Sequence, residues 1–185
     1  MDATYWGRNF GVLVFKDAWR KKILWRKFLR KKETIQDYIE GVEWLENAGF
    51  KISGVVCDGL KGLSKVLSRY NVQYCQFHQI KTVKFYLTSN PDLPASKELL
   101  SIALMLCHTD KESFIGAFNE WLDRWEYFLK ERSIDPKTGR TRYIHQRLRS
   151  AYLSIKRNMP LLWTFYDKSE LNIPNTNNGN SHNKG

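Results

Sequence analysis

Apolar residues change their spacing along this chain of 185 residues, and the change divides it. Phe10-Gly11-Val12-Leu13-Val14-Phe15 reads as a buried strand, and Ile23–Leu29 has strand propensity without clean alternation. The polar residues Lys16 to Lys22 between them predict a hairpin, with Tyr5 and Trp6 ending a further strand before it. Thr34, with Asp37 three residues on, opens a helix through a weak form of the capping box. Ile35, Ile39, Val42 and Leu45 continue it at helical spacing, and Gly49 is its stop. Ile52–Cys57 is a short apolar strand ending at Asp58-Gly59. Leu60, Leu63, Val66 and Leu67 suit a helix, Val72–Cys75 a strand, and the chain from His78 another helix. Three strands followed by alternating units predict an α/β fold.

After Pro91 strand signals vanish. Helical spacing runs through Ser96–Leu129 and Tyr143–Trp163, with a turn at Ile134–Gly139. Three regions are therefore expected: an α/β core over residues 1–90, an all-helical insertion over 91–172, and a disordered tail over 173–185. The tail's run of Asn, Ser and Gly from Pro174 onward has little to pack.

Composition narrows the class. Apolar residues make up 42% and aromatics 14%, enough for a folded core. No apolar run is long enough for a transmembrane helix, so no membrane partner is expected. The opening residues have neither signal-peptide nor transit-peptide character. Cys57, Cys75 and Cys107 are widely spaced and odd in number, which fits reduced thiols and a cytoplasmic location. The formal net charge of +11 points to a polyanion, most often nucleic acid. An anionic membrane surface or a solvated basic face would give the same charge.

Two carboxylates stand out. Asp2 is placed at the end of the first strand, and Asp58 at the end of Ile52–Cys57. Ligands of open α/β sheets gather outside the carboxyl ends of strands. If these strands are neighbours, the two carboxylates face one crevice and supply the oxygen ligands that hard divalent cations take. Such ions activate a water or a 3′-hydroxyl and stabilise a leaving oxygen. Taken alone, each Asp reads better as a solvated or turn residue.

Other groups admit two readings. Cys75 and His78 have the spacing of half a zinc site, with Cys107 and His108 as further donors. A structural zinc takes four ligands, so a half-buried pair at a strand–helix junction is preferred and zinc is not expected. Arg20, Lys21, Lys22, Arg26 and Lys27, interleaved with aromatics, and Lys61 after Asp58 are candidate DNA contacts. The basic hairpin equally suits a solvated sheet edge guarded by charge. Arg140, Arg142, Arg147, Arg149, Lys156 and Arg157 either line a DNA channel or decorate a helical surface.

Four segments carry a resemblance. Asp2-Ala-Thr-Tyr-Trp-Gly before a basic hairpin, Val55-Val56-Cys57-Asp58-Gly59-Leu60-Lys61-Gly62-Leu63, Gln73-Tyr74-Cys75-Gln76-Phe77-His78-Gln79, and Ile173-Pro174-Asn175-Thr176-Asn177-Asn178 resemble, in order, segments of bacterial insertion-sequence DDE transposases of the mutator-like kind. The resemblance implies a ribonuclease H-like mixed sheet with a helical insertion. It also implies DNA strand cleavage and strand transfer during transposition of a mobile element. Asp2 and Asp58 would be catalytic and would bind Mg²⁺ or Mn²⁺, with a Glu completing the triad. The implied partners are DNA, at element ends and target, and a second copy or an intact transposase. The chain departs from the family after Asn-Asn-Gly, where no Asp or Glu follows, and at Met1, which falls inside the family's first strand. The expectation is a core incomplete at both ends and inactive alone. Two alternatives are a non-enzymatic DNA-binding remnant and an independent nuclease using Asp167 or Glu170 as third ligand.

Overall fold

The computed structural model describes residues 1–7 and 10–177. The architecture is mixed α/β, with helices and several small sheets. The chain forms two compact units, residues 1–75 with 160–185, and residues 76–159. They divide at Cys75/Gln76 and Met159/Pro160, whereas the apolar spacing suggested 90/91 and 172/173.

In the first unit, β1 (Asp2–Trp6), β2 (Phe10–Lys16) and β3 (Ile23–Leu29) form an antiparallel meander. Directly opposed residues share a face. The pairs Asp2↔Val14, Thr4↔Val12, Trp6↔Phe10, Val14↔Arg26 and Val12↔Phe28 therefore put these side chains on one side. The other side buries Leu13, Phe15 and Leu29 with Tyr38, Val42 and Leu45 of α1 (Ile35–Asn47). Burying each such side chain stabilises by about 1.5–3 kcal/mol. Asp2 opens β1 instead of ending its strand, because β2 is long enough to pair as far as Phe10.

The capping box of α1 is complete. Asp37 N donates to Thr34 Oγ1 at 3.3 Å, and Thr34 N donates to Asp37 Oδ2 at 2.8 Å. β4 (Gly54–Cys57) and β5 (Asn71–Tyr74) pair in parallel across a crossover that holds the short helix α2 (Leu63–Val66). This strand begins two residues later than its apolar run, and the helix keeps only the middle of its expected span. Gly62 at φ +89° marks where the turn gives way to α2.

The second unit holds α3 (Gln76–Leu87), α4 (Pro94–Met105), α5 (Lys111–Lys130) and α6 (Gln146–Leu162), which runs past the unit boundary. Its centre is an aromatic stack. The Phe118 and Tyr152 rings lie 5.5 Å apart at 12°, beside buried Trp121, whose indole N–H donates to Ala95 O at 2.9 Å. The insertion is not all-helical. β6 (Arg132–Ile134) and β7 (Thr141–Tyr143) form a hairpin where a plain turn was expected. Asp135 drives the reversal. Its Oδ1 accepts from Lys137 N at 2.9 Å and Thr138 N at 3.2 Å, and Gly139 at φ +65° returns its N–H to Asp135 O.

Pro160 lies inside α6 and has no N–H for the helix ladder. From there the chain rejoins the first unit through α7 (Thr164–Asp167) and a 3-10 turn at Ser169–Leu171. Ile173 is buried and Asn177 is hydrogen-bonded, so residues 173–177 are not the disordered segment expected of them. The rest of that expectation, residues 178–185, lies outside the described residues. No helix among those described is long and apolar enough to cross a membrane.

Candidate metal centre

Asp2 and Asp58 are brought together by β1 and β4. The amino group of Met1 donates to Val56 O at 2.8 Å. Asp2 follows that contact on β1, and Asp58 follows Cys57 just beyond the carboxyl end of β4. Both are half-buried, and a carboxylate oxygen of one lies within 4.8 Å of a carboxylate oxygen of the other. The turn beyond Asp58 requires glycine. Gly59 has φ +64°, and a Cβ there would fall 2.1 Å from the Tyr74 ring.

Two further groups feel these charges, and sequence spacing gave no sign of either. Glu33 lies between β3 and α1. Tyr5 O–H donates to its carboxylate, and Glu33 N donates back to Tyr5 Oη at 2.6 Å. Partial burial pushes the Glu33 carboxyl above its usual range, and the charges of Asp58 and Asp2 push the same way, against a local backbone N–H. Tyr38 is fully buried, and its hydroxyl has no hydrogen-bond partner among the described residues. Burial raises its phenol strongly, with Asp58 the next cause.

Burial pushes Cys57 up to about 12, so it stays protonated at neutral pH. Cys75 donates S–H to Asn177 Oδ1 at 3.1 Å and touches Thr176 Oγ1 at 3.3 Å. Asn177 also donates to Met1 O at 3.1 Å, which fixes the 173–177 segment beside the residue before Asp2. His78 stands in the first turn of α3, in the second unit.

The basic candidates separate. Arg20, Lys21 and Lys22 are exposed in the β2–β3 turn, at the Asp2 end of the sheet. Asp17 shapes this turn by accepting from Trp19 N and Arg20 N at 2.9 and 2.7 Å. Arg26 is exposed on the Asp2 face, its guanidinium 5.8 Å from the Phe28 ring. Phe28 stacks on Phe10 at 5.9 Å, and Phe10 meets Trp6 at 5.7 Å. All three rings are exposed. Lys61 is exposed in the turn after Asp58. Lys27 points to the other face, where it pairs with Asp37 at 2.9 Å and with Glu40. Three arginines of the second unit are occupied inside it. Arg142 pairs with Asp135, Arg147 donates to Tyr86 O, and Arg149 donates to Leu129 O. Asp167 and Glu170 are exposed, and neither joins Asp2 and Asp58 within the same 4.8 Å.

No protein-family model, curated protein or solved structure gives a match to this chain.

Proposed function

We propose that this chain has the ribonuclease H-like catalytic-core fold of a DDE transposase, in which Asp2 and Asp58 hold divalent cations, and that it does not cut DNA alone, since no third carboxylate joins the pair among the described residues. One observation carries the reading. Two carboxylates 56 residues apart in sequence converge to within 4.8 Å at the junction of β1 and β4. The strand sequence β3-β2-β1, then across the Met1–Val56 bond to β4-β5, supports the fold. The 173–177 segment, held against Met1, supports the resemblance of its Ile-Pro-Asn-Thr-Asn run to the one before the transposase Glu.

The donor set fits the ion. Carboxylate oxygens are the ligands that Mg²⁺ and Mn²⁺ take. When bound, such ions activate a water or 3′-hydroxyl and stabilise the leaving oxygen. Asp2 and Asp58 hold and orient them. Arg20, Lys21, Lys22, Arg26 and Lys61 take DNA phosphates, and Lys27 supports them indirectly by fixing α1 to β3.

Mn²⁺ titration followed by electron paramagnetic resonance tests the reading. Binding should weaken at least tenfold in Asp2→Asn and in Asp58→Asn, and Glu170→Gln should leave it unchanged. Binding indifferent to both Asp substitutions overturns the reading.

The exposed Trp6–Phe10–Phe28 cluster beside Arg26 favours a second reading, a DNA-binding chain without catalysis. Aromatic faces stack on bases, and arginine takes phosphates. DNA binding that is salt-sensitive yet independent of Asp2, Asp58 and divalent ions would select it.

A further inference from the structure

Charge is uneven along the second unit. Lys130 to Asn158 holds nine lysines and arginines against two acidic residues, Glu131 and Asp135. Both acids are engaged, Glu131 with His145 at 2.9 Å and Asp135 with Arg142 at 3.2 Å. The β6–β7 hairpin carries the middle of this stretch. Residues 132–142 are exposed apart from half-buried Asp135, so neither face of the hairpin is covered. Two strands alone are marginally stable, and this pair is held at its root. The Arg132 guanidinium lies 4.6 Å from the centre of the Tyr143 ring and donates to Tyr143 Oη at 2.7 Å. Arg149 of α6 lies 4.2 Å from the same ring and donates to Leu129 O, near the end of α5. The ladder continues one pair beyond β6, where Asp135 N donates to Arg140 O at 3.0 Å. Arg140 therefore shares a face with Arg142, and Lys137 stands in the turn. Lys137 and Arg140 have no acidic partner among the described residues.

We infer that the β6–β7 hairpin is a ribbon that enters the major groove of duplex DNA, with Lys137 and Arg140 on the phosphates beside it. Charge sets the class of partner, and shape narrows it. An anchored root with an uncommitted cationic tip suits a polyanion, because Lys137 and Arg140 give up no ion pair on binding. Strands about 4.7–4.9 Å apart make a two-stranded ribbon, which the roughly 12 Å major groove of B-form DNA admits. The deep, narrow major groove of A-form RNA does not, and a single strand has no groove to fill. Phosphate contacts of this kind position a protein without reading sequence. The inference rests on the proposed function for its DNA partner alone and on no residue of the first unit.

The test is duplex binding by the full chain, read by fluorescence anisotropy with chelator present, so that metal binding plays no part. Lys137→Ala/Arg140→Ala should weaken binding to a mixed-sequence B-form duplex about fivefold or more at low salt. It should also lower the slope of log affinity against log salt by about 1.8, at ~0.9 per phosphate. Its melting temperature should not change, since neither side chain holds the fold. Lys84→Ala/Lys97→Ala removes the same charge from exposed positions on α3 and α4 and should leave the slope nearly unchanged. Equal losses for the two pairs overturn the inference, because net charge then explains both. A loss on duplex RNA or single-stranded DNA as large as on duplex DNA overturns groove entry. Undiminished binding by the hairpin variant overturns the inference alone, whereas no binding by the unsubstituted chain at low salt removes the DNA partner of the proposed function with it.

Discussion

Gln73 and Leu162, 89 residues apart, are joined by a buried hydrogen bond of 2.9 Å from the Gln73 amide to the Leu162 carbonyl. The same amide donates to Tyr74 O at 2.7 Å, and its carbonyl accepts from Phe165 N at 3.0 Å. This one side chain ties β5 to the segment that returns to the first unit. Gln73→Leu keeps the volume but leaves the Leu162 carbonyl and Phe165 amide without this partner. Each stranded group costs roughly 1–3 kcal/mol. The variant should lose about 2–4 kcal/mol in urea unfolding, with the midpoint falling and the slope unchanged. A loss under ~0.5 kcal/mol would mean that water replaces the amide.

The Asp2–Asp58 pair makes a two-sided prediction. Without a cation, two carboxylates within 4.8 Å repel. Asp58→Asn removes that repulsion and should raise the melting temperature of the chelator-treated protein by a few degrees. In millimolar Mn²⁺ the order should reverse, since only the unsubstituted chain gains stability from the ion. Calorimetry with and without metal checks both arms. The same order in both conditions would leave the pair without a metal role.

Much of this could be read from residue spacing. The β2–β3 hairpin and α1 follow from local signals, Phe10–Phe15 and Ile23–Leu29 by β propensity, Thr34 and Asp37 by capping. The insertion hairpin was missed because three-residue strands leave too little pattern to compete with the helices beside them. Its determinant is one Asp135 carboxylate gathering two backbone amides. Asp2 and Asp58 were legible as a pair through the motifs around them. Glu33 was not, because its hydrogen-bond partner, Tyr5, comes from 28 residues earlier on β1. The division at Cys75/Gln76 was equally hidden. α3 looks like one more helix of the alternating pattern, and its place in the second unit rests on distant contacts. Gln79, for example, donates to Ser154 Oγ at 3.0 Å and accepts from Asn158 at 2.7 Å.

Neighbouring cations on β3 should behave oppositely toward DNA. Arg26 lies on the face of Asp2, Trp6 and Phe28, while Lys27 is engaged with Asp37 and Glu40. Arg26→Ala should weaken duplex binding and lower the salt slope by about one. Lys27→Ala should leave the slope unchanged and instead cost stability, since it strips Asp37 of its partner at the α1 cap. Phe28→Ala should weaken single-stranded DNA by about 1–3 kcal/mol, the worth of one stacked base, and duplex less. Fluorescence anisotropy at several salt concentrations separates these effects. Equal slopes for Arg26→Ala and Lys27→Ala would remove this face as the DNA surface.

Glu33 should make the metal-free protein less stable as pH rises. Its folded carboxyl lies above the ordinary 4.5, because of burial and then the charges of Asp58 and Asp2. Below about 4.5 the group is protonated in both states and contributes nothing. As pH rises through the window between 4.5 and the raised folded value, the unfolded chain releases its proton first. The unfolded state then binds fewer protons, and stability falls with pH. Above the folded value the loss is complete and constant. Glu33→Gln keeps an acceptor for the Tyr5 hydroxyl but cannot ionise. Its melting temperature relative to the unsubstituted chain should therefore climb across that window and level off above it. A divalent cation on Asp2 and Asp58 would cancel part of the field that Glu33 feels, so saturating Mn²⁺ should shrink the climb. Melting curves from pH 4 to 8, with chelator and with Mn²⁺, measure both. A difference that stays flat across the range would show that Glu33 ionises as freely in the fold as in the open chain.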